Sequence, residues 1–268
     1  MKLGELLLKQ ALWFAQSNRF DLAYLTAYAE QIALINLLEY YGFMCAGTKA
    51  DGELIFERHF SPDKLVVAPD AEPFEAGRKN YPRFVLNNSI RGFGVPIQEA
   101  YHDTLYPDLW APRQADMFLD VSKAATPTRP GNTIRKVYLC RAPSRLGPAG
   151  SVLFFYKGAS REPPTQAVTA IGLLEEVTLA TSTRELMIKA GGRSVYSETE
   201  LAQWGATPDR PVKVINYLLV AYIDPPISLD ELRALGVVRG KQPPQSIYEV
   251  DNEKLVALLG RANLAFAI

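Results

Sequence analysis

The chain has 268 residues, 29 lysines and arginines against 29 aspartates and glutamates, and 48% apolar residues. These values suit one large or two modest globular units and exclude a strong net charge that would attract polyanions over the whole surface. The sequence contains no run of about 18 apolar residues and no signal-peptide core, so we expect no membrane association and a cytoplasmic location.

The first sixty residues predict a helix, a strand, a second helix and a hairpin. Apolar residues recur at helical spacing in both helices, Gly42 is placed to end the second one, and Asp51-Gly52 is a strong turn signal between two strands. The predicted elements are a helix at 3–17, a strand at 22–28, a helix at 30–41 and strands at 43–48 and 53–60.

This unit resembles the C-terminal half of a GNAT-type acetyltransferase. The resemblance rests on Gly4-Glu5-Leu6-Leu7-Leu8 and on the run Ala33 to Phe43, which precedes the hairpin. It implies that backbone N–H groups at the N-terminus of the first helix would hold the pyrophosphate of acetyl-CoA, with Gly4 and Lys2 at the cofactor-binding positions. Lys2 stands where that family has a glycine, and the strand that bears the acetyl group would precede Met1.

The second helix departs from the same family at the position of its general acid. Members often carry a tyrosine four residues before the Gly-Phe pair, and Leu38 occupies that position here. We expect Tyr40 and Tyr41 to be packing residues. No catalytic residue is therefore assigned, and we expect acetyl-CoA to bind only if an N-terminal half is supplied separately. A protein partner or self-association would then cover the apolar surface of the unit.

Residues 61–131 form a proline-rich connecting segment that we expect to pack on the first unit. Short strands are predicted at 84–86 and 90–97, followed by a helix over 96–107. The pair His102-Asp103 admits a catalytic interpretation, because histidine is the natural proton shuttle near neutral pH. No nucleophile signature accompanies the pair, so we interpret His102 as a surface or linker histidine.

Residues 132–268 predict strands rich in β-branched and aromatic residues, with helices between them. Ser197 with Glu200 and Ser228 with Glu231 have the spacing of a capping box, which begins a helix. The predicted strands are 136–140, 151–156, 168–177, 212–219 and 245–250, and the predicted helices are 183–190, 197–204, 228–235 and 252–259.

The order of these elements resembles the PUA-like superfamily, which includes ASCH, EVE and YTH domains. The matching segments are Pro148 to Lys157, Ala170 to Val177 and Pro243 to Ile247. The resemblance implies a small, partly open β-barrel that binds RNA or a modified base by stacking and by hydrogen bonds to the base edge. The candidate nucleic-acid-binding residues are Tyr156, Lys157, Arg193, Tyr196, Gln245, Ser246, Arg135 and Lys136.

A run without acidic residues supports the same interpretation. Between Val121 and Arg161 the chain has eight lysines and arginines and no aspartate or glutamate. Such a run favours phosphate if the cations share a face, whereas the alternative is a solvated loop and a strand edge protected by lysines. The members are Lys123, Arg129, Arg135, Lys136, Arg141, Arg145, Lys157 and Arg161.

The two cysteines, Cys45 and Cys140, lie far apart without metal-ligand spacing, so we expect buried free thiols and no metal. The sequence predicts an α+β protein with a partial GNAT-like unit at 1–60, a connecting segment at 61–131 and a PUA-like β-barrel with helical inserts at 132–268. The predicted function is RNA or modified-base recognition by the barrel, with the first unit as scaffold. The alternative is an acetyl-CoA-dependent N-acetyltransferase that is not active as this chain alone.

Overall fold

Helices and strands alternate at the start of the computed structural model, which describes residues 3–65, 70–109, 133–160 and 163–264. The bounds agree with the predicted helix, strand, helix and hairpin to within about two residues. The elements are α1 (Leu3–Ser17), β1 (Leu22–Ala27), α2 (Ile32–Tyr40), β2 (Met44–Thr48) and β3 (Leu54–His59).

The three strands form an antiparallel sheet in the order β1-β3-β2, and the hairpin turns at Gly52 with φ +91°. Gly42 follows the C-cap of α2 with φ +83°, and a Cβ at this position would overlap the carbonyl oxygen of Lys79. Both the backbone angle and the close approach therefore require glycine. Tyr41 and Leu38 are each 1% exposed, which confirms the packing role expected for Tyr41.

The remaining elements build a second, larger sheet with helices around it. The helices are α3 (Pro73–Lys79), α4 (Glu99–Leu105), α5 (Thr183–Ala190), α6 (Glu198–Gln203), α7 (Leu229–Ala234) and α8 (Asn252–Ala262). The strands are β4 (Gly92–Ile97), β5 (Arg135–Cys140), β6 (Val152–Lys157), β7 (Ala167–Ala180), β8 (Val212–Ser228) and β9 (Tyr248–Val250). Short 3-10 helices lie at Pro62–Lys64, Pro107–Leu109 and Gly191–Arg193.

The second sheet has the strand order β5-β8-β7-β6-β4-β9, with β4 parallel to β6 and every other pair antiparallel. Within the described residues, β5 and β9 are its edges and do not pair with each other, so the sheet is open. The long strands β7 and β8 change register three times along their shared ladder. Such bulges bend strands and increase their twist, which curls the sheet. The chain is thus α+β, as predicted.

One buried apolar cluster joins the two sheets. It contains Leu12 of α1, Phe56 of β3 and Phe154 of β6, together with Tyr81, which follows α3. Each of these residues is at most 1% exposed. The cluster therefore continues across the predicted boundaries after residues 60 and 131. In addition, β4 belongs to the predicted connecting segment but pairs with β6 and β9 in the second sheet. The division into three segments stays a prediction.

Several local predictions are confirmed and others are wrong. Both capping boxes are present, with Ser197 at the start of α6 and Ser228 at the start of α7. No strand forms at 84–86, and the helix predicted over 96–107 begins only at Glu99 because the chain up to Ile97 completes β4. Cys140 is buried as expected, but Cys45 is exposed because it lies on the edge strand β2. No helix among the described residues is long and apolar enough to span a bilayer.

Candidate nucleic-acid interface

Three aromatic side chains from separate elements form a row of ring contacts. The rings of Tyr101 on α4 and Tyr196 have centroids 4.7 Å apart, and Tyr196 meets Trp204 edge to face at 5.5 Å. Tyr196 is 8% exposed, whereas Tyr101 and Trp204 are half-buried. The row therefore has a fixed central ring and two rings that reach the surface.

The capping box of α6 fixes this row. The Ser197 hydroxyl accepts a hydrogen bond from the Glu200 amide at 3.2 Å, while the Glu200 carboxylate accepts one from the Ser197 amide at 2.8 Å. The hydrogen bonds that the Ser197 amide and hydroxyl donate to this carboxylate lower the pKa of Glu200. Tyr196 precedes the cap and Trp204 follows the last residue of α6, so the short helix holds the two rings at its two ends. A groove of about 530 Å³ lies along Tyr196, with Glu198 and Glu200 at its side.

A second groove, of about 380 Å³, lies where β5 ends and β8 begins, and it carries mostly positive charge. Arg141, Arg210 and Lys213 line it together with one carboxylate, Asp209. Lys213 donates to the carbonyl oxygens of Ala142 and Ser144, which fixes the chain that follows β5. The cations thus come from the end of β5 and from the start of β8, two paired strands at one edge of the sheet.

Arg141 connects the aromatic row to the second groove. Its guanidinium lies 5.5 Å from the centroid of the Trp204 ring and donates to the carbonyl oxygens of Trp204 and Gly205. We call the connected set the aromatic-basic strip. Its members are Tyr101, Tyr196, Trp204, Arg141, Arg210 and Lys213. Aromatic rings next to cations can stack an unpaired base while neutralising the phosphates that flank it.

Besides Tyr196, three of the residues predicted to bind nucleic acid are buried. Tyr156 and Lys157 are each 0% exposed and Lys136 is 1% exposed. Every residue of β6 is buried, and alternate residues of the strand belong to two separate apolar clusters, so both of its faces are covered. The Lys136 ammonium donates to the carbonyl oxygen of Leu105 at 2.7 Å, and burial places its pKa well below the ordinary value. These side chains do not form a surface with the aromatic-basic strip.

Two predicted arginines have different surroundings. Arg135 is half-buried and forms a two-point ion pair with Glu175, with Nε 3.0 Å from Oε2. Its guanidinium also lies 5.6 Å from the centroid of the Tyr40 ring, so it links β5 to the N-terminal unit. Arg193 ends a short 3-10 helix three residues before Tyr196, and its buried Nε has no hydrogen-bond partner among the described residues. Of these two arginines, only Arg193 is close in the chain to the aromatic-basic strip.

Gln245 and Ser246 are exposed, as a base-reading role requires. The Ser144 hydroxyl donates to the carbonyl oxygen of Ile247 at 3.0 Å, so this segment is tied to the loop after β5 that also carries Arg141. The predicted pair therefore lies next to the loop that forms one wall of the basic groove. Their binding role stays a prediction.

The predicted cofactor-binding positions receive no further support from the geometry. Gly4 lies within α1, and a Cβ there would come within 3.3 Å of Leu37 Cδ2. The glycine thus allows close packing of α1 against α2, a purely structural use. Lys2, like Lys123, Arg129 and Arg161 of the run without acidic residues, lies outside the described residues.

His102 is 0% exposed, so the interpretation of it as a surface or linker histidine is wrong. Its Nδ1 lies 2.9 Å from Asp103 Oδ1 and its Nε2 lies 2.7 Å from Thr169 Oγ1. Because a carboxylate only accepts, Nδ1 carries the proton of the neutral ring and Nε2 accepts from the Thr169 hydroxyl. Asp103 also pairs with the Lys157 ammonium at 3.1 Å. Burial lowers the pKa of His102, although Asp103 opposes the shift.

Thr169 has an unusual position on its strand. Phe155 of β6 pairs with Ala170 and Tyr156 with Val168, so Thr169 is the extra residue of a bulge. The Thr169 hydroxyl, the His102 imidazole and the Asp103 carboxylate are hydrogen-bonded in sequence. This is the arrangement of a nucleophile, a general base and a group that orients the base in covalent catalysis. The Thr169 hydroxyl is fully buried, however, so in this structure the group ties α4 to β6 and β7 and presents no nucleophile to solvent.

Sequence reasoning missed Tyr101, Trp204, Arg210 and Lys213 as surface-binding candidates. Arg141 belonged to the run without acidic residues and was not selected from it. The sequence did carry a signal for Arg141, because this residue directly follows the predicted strand and a residue beyond the end of a strand is more exposed than one inside it. Arg141 is exposed, whereas Lys136, inside β5, is buried. No comparable local signal identified Trp204.

No protein-family model matches the sequence, and the comparison with curated proteins gave no match. Among solved structures, the chain is similar to the ASCH protein from Zymomonas mobilis, with a TM-score of 0.43, 16% identity and coverage of 63% of this chain and 94% of that chain. It is also similar to human THYN1 in complex with 5-methylcytosine-containing DNA, with a TM-score of 0.34, 12% identity and coverage of 65% of this chain and 98% of that chain.

Proposed function

We propose that this protein binds single-stranded nucleic acid through the aromatic-basic strip on its second, PUA-like sheet. The contact of Arg141 with the Trp204 ring carries the proposal, because it joins the aromatic row to the basic groove. An unpaired base would stack on Trp204 or Tyr101, and Arg141, Arg210 and Lys213 would neutralise the adjacent phosphates. Gln245 and Ser246 are candidates for hydrogen bonds to the base edge, whether the base is a modified or an ordinary one.

The shape of the strip favours single strands over duplexes. The rings of Tyr101 and Trp204 are half-buried and reach the surface, which suits bases that have left their stack. A rigid duplex presents its bases edge-on and would contact the cations alone. In this proposal the N-terminal unit is a scaffold, since α1 and the second sheet share one buried cluster.

The experiment is a fluorescence anisotropy titration of the full chain with labelled single-stranded RNA, single-stranded DNA and duplex of mixed sequence at low salt. We expect saturable binding that prefers a single strand. Trp204→Ala should weaken it by about fivefold or more, since stacking on an aromatic ring is worth about 1–3 kcal/mol per base. Trp204→Phe should retain most of the affinity.

The matched control is Tyr24→Ala, because Tyr24 is an aromatic residue that is 70% exposed and lies on β1 in the three-stranded sheet, not on the second sheet. Circular dichroism checks that each variant is folded. Absence of binding at low salt, where phosphate attraction is strongest, would refute the proposal. Equal losses for the Trp204 and Tyr24 variants would also contradict it.

A further inference from the structure

Among the described residues, three cations line the second groove, and two of them are held in place by backbone carbonyl oxygens. Arg141 donates to the carbonyl oxygens of Trp204 and Gly205, the latter at 3.3 Å. Lys213 donates to the carbonyl oxygen of Ser144. A side chain that is already fixed loses less conformational entropy when a ligand binds. The groove therefore offers a preorganised pair of positive charges.

The third cation, Arg210, lies on a closed turn. The Thr207 amide donates to the Arg210 carbonyl oxygen at 3.3 Å, and the Arg210 amide donates to the Thr207 carbonyl oxygen at 3.1 Å. Pro208 occupies the second position of this turn, where its fixed backbone angle is favoured. Asp209 is the carboxylate that lines the groove beside Arg210. Three cations and one carboxylate give the described lining an excess of two positive charges.

A phosphate monoester has the charge that matches this excess. It carries about −1.5 to −2 near pH 7, whereas a phosphodiester inside a strand carries a single negative charge. Guanidinium groups also bind phosphate oxygens through parallel N–H groups. The groove volume of about 380 Å³ lies at the small end of the range for small-molecule sites, which is about 300–1,000 Å³. This volume suits one phosphate group rather than a run of several.

Trp204 offers a single stacking surface beside the groove. Arg141 lies over the ring, with its guanidinium carbon 5.5 Å from the ring centroid, and Tyr196 meets the same ring edge to face at 5.5 Å. These contacts leave at most one face of the half-buried ring for a base. A base inside a strand has a neighbour on each side, whereas the base at a strand end has one free face. One open ring face next to a phosphate site therefore suits a terminal nucleotide.

We propose that the aromatic-basic strip recognises the phosphorylated end of a single strand, with the terminal base on Trp204 and the terminal phosphate in the second groove. The inference rests on the nucleic-acid binding proposed above and specifies the part of the strand that binds. Arg141 belongs to both halves of the site, since it contacts the Trp204 ring and lines the groove. A phosphate monoester has the same chemistry at a 5′ and at a 3′ end, so the test includes both.

The test is an anisotropy titration of the full chain with single strands that have one sequence and one internal label and differ only at their ends. The ligands are a strand with a 5′-phosphate, a strand with a 3′-phosphate, a strand with two hydroxyl ends and a covalently closed circle. We expect one phosphorylated strand to bind at least about tenfold more tightly than the hydroxyl strand, because it adds hydrogen bonds between charged groups. The circle should bind no better than the hydroxyl strand.

Arg210→Gln should reduce the ratio of affinities for the phosphorylated and hydroxyl strands, because it removes one of the charges that hold the monoester. The matched control is Arg19→Gln, since Arg19 is an exposed arginine beyond the end of α1 in the N-terminal unit. This variant should keep the wild-type ratio. Equal binding of the phosphorylated, hydroxyl and circular strands, or an unchanged ratio in Arg210→Gln, would overturn the inference and leave the proposed function standing. Absence of binding by every strand would refute both.

Discussion

His102 Nε2 and Thr169 Oγ1 lie 2.7 Å apart, although the two residues are 67 positions apart in the chain and neither side chain reaches solvent. This bond, together with that of Nδ1 to Asp103, holds the imidazole as a neutral ring in the folded state. The unfolded chain releases the ring to water, where its pKa returns to about 6.5. The protonation of His102 is therefore linked to folding.

We expect the protein to become less stable as the pH falls from 7.5 to 5.5. The folded-state pKa of His102 is lowered, so the unfolded state binds the proton more readily and the stabilisation present above pH 6.5 is lost on acidification. The loss from this group is at most about 1.4 kcal/mol over that interval. Urea unfolding across the pH series measures it. His102→Gln should flatten the profile, and His59→Gln, which changes the other histidine, should not. A profile of wild-type steepness in His102→Gln would contradict the linkage.

Removal of the Thr169 hydroxyl should destabilise the fold. Thr169→Val keeps the shape of the side chain but leaves His102 Nε2 buried without a donor, which costs about 1–3 kcal/mol. Thr169→Ser keeps the hydroxyl and should lose less. The free energy of urea unfolding at pH 7.5 distinguishes the two variants. If valine were tolerated as well as serine, the hydrogen bond would have no structural importance.

Gly42→Ala should be strongly destabilising, by about 2 kcal/mol or more. Its φ of +83° disfavours a side chain, and the added Cβ would overlap the Lys79 carbonyl oxygen. Gly47→Ala is the control, because a Cβ at Gly47 of β2 meets no atom within 4 Å. That change should stay within about 0.5 kcal/mol. Thermal and urea unfolding of both variants provide the comparison, and similar losses for the two would argue against the backbone explanation.

Nucleic-acid binding should depend on salt through the strip's cations. Each neutralised phosphate of a single strand contributes about −0.7 to the slope of log affinity against log salt concentration. Arg210→Gln should therefore make the slope less negative by up to about 0.7. Arg239→Gln, at an exposed arginine that lines neither groove, should leave it unchanged. Anisotropy titrations at several salt concentrations test this, and identical slopes for the three proteins would remove Arg210 from the interface.

Local chemistry made part of the fold predictable. The Asp51-Gly52 turn and the capping boxes at Ser197 and Ser228 depend on side chains within four residues of one another, and all three form as expected. The parallel pairing of β4 with β6 depends on residues about sixty positions apart and left no local signal. The strand was therefore assigned to a connecting segment although it lies inside the second sheet.

The candidate site was predictable only in part, for a similar reason. Tyr196 was recognised because a loop aromatic precedes a helix cap. Its partner Trp204 and the cation on that ring, Arg141, are 63 positions apart and meet only in the folded chain. Conversely, Lys136 and Lys157 carry the charge expected of a binding residue, but both are buried in the folded chain, where they contact Leu105 and Asp103 of α4.

The position of β4 between β6 and β9 has a practical consequence for the design of shorter fragments of this protein. A fragment that begins at residue 132 would lack β4, so the backbone of β6 would lose one of its two partners and β9 would have nothing to pair with. Unpaired strand edges of this kind recruit other chains. We expect such a fragment to precipitate or to form mixed oligomers, whereas cloning boundaries that retain residues 92–97 would preserve the sheet.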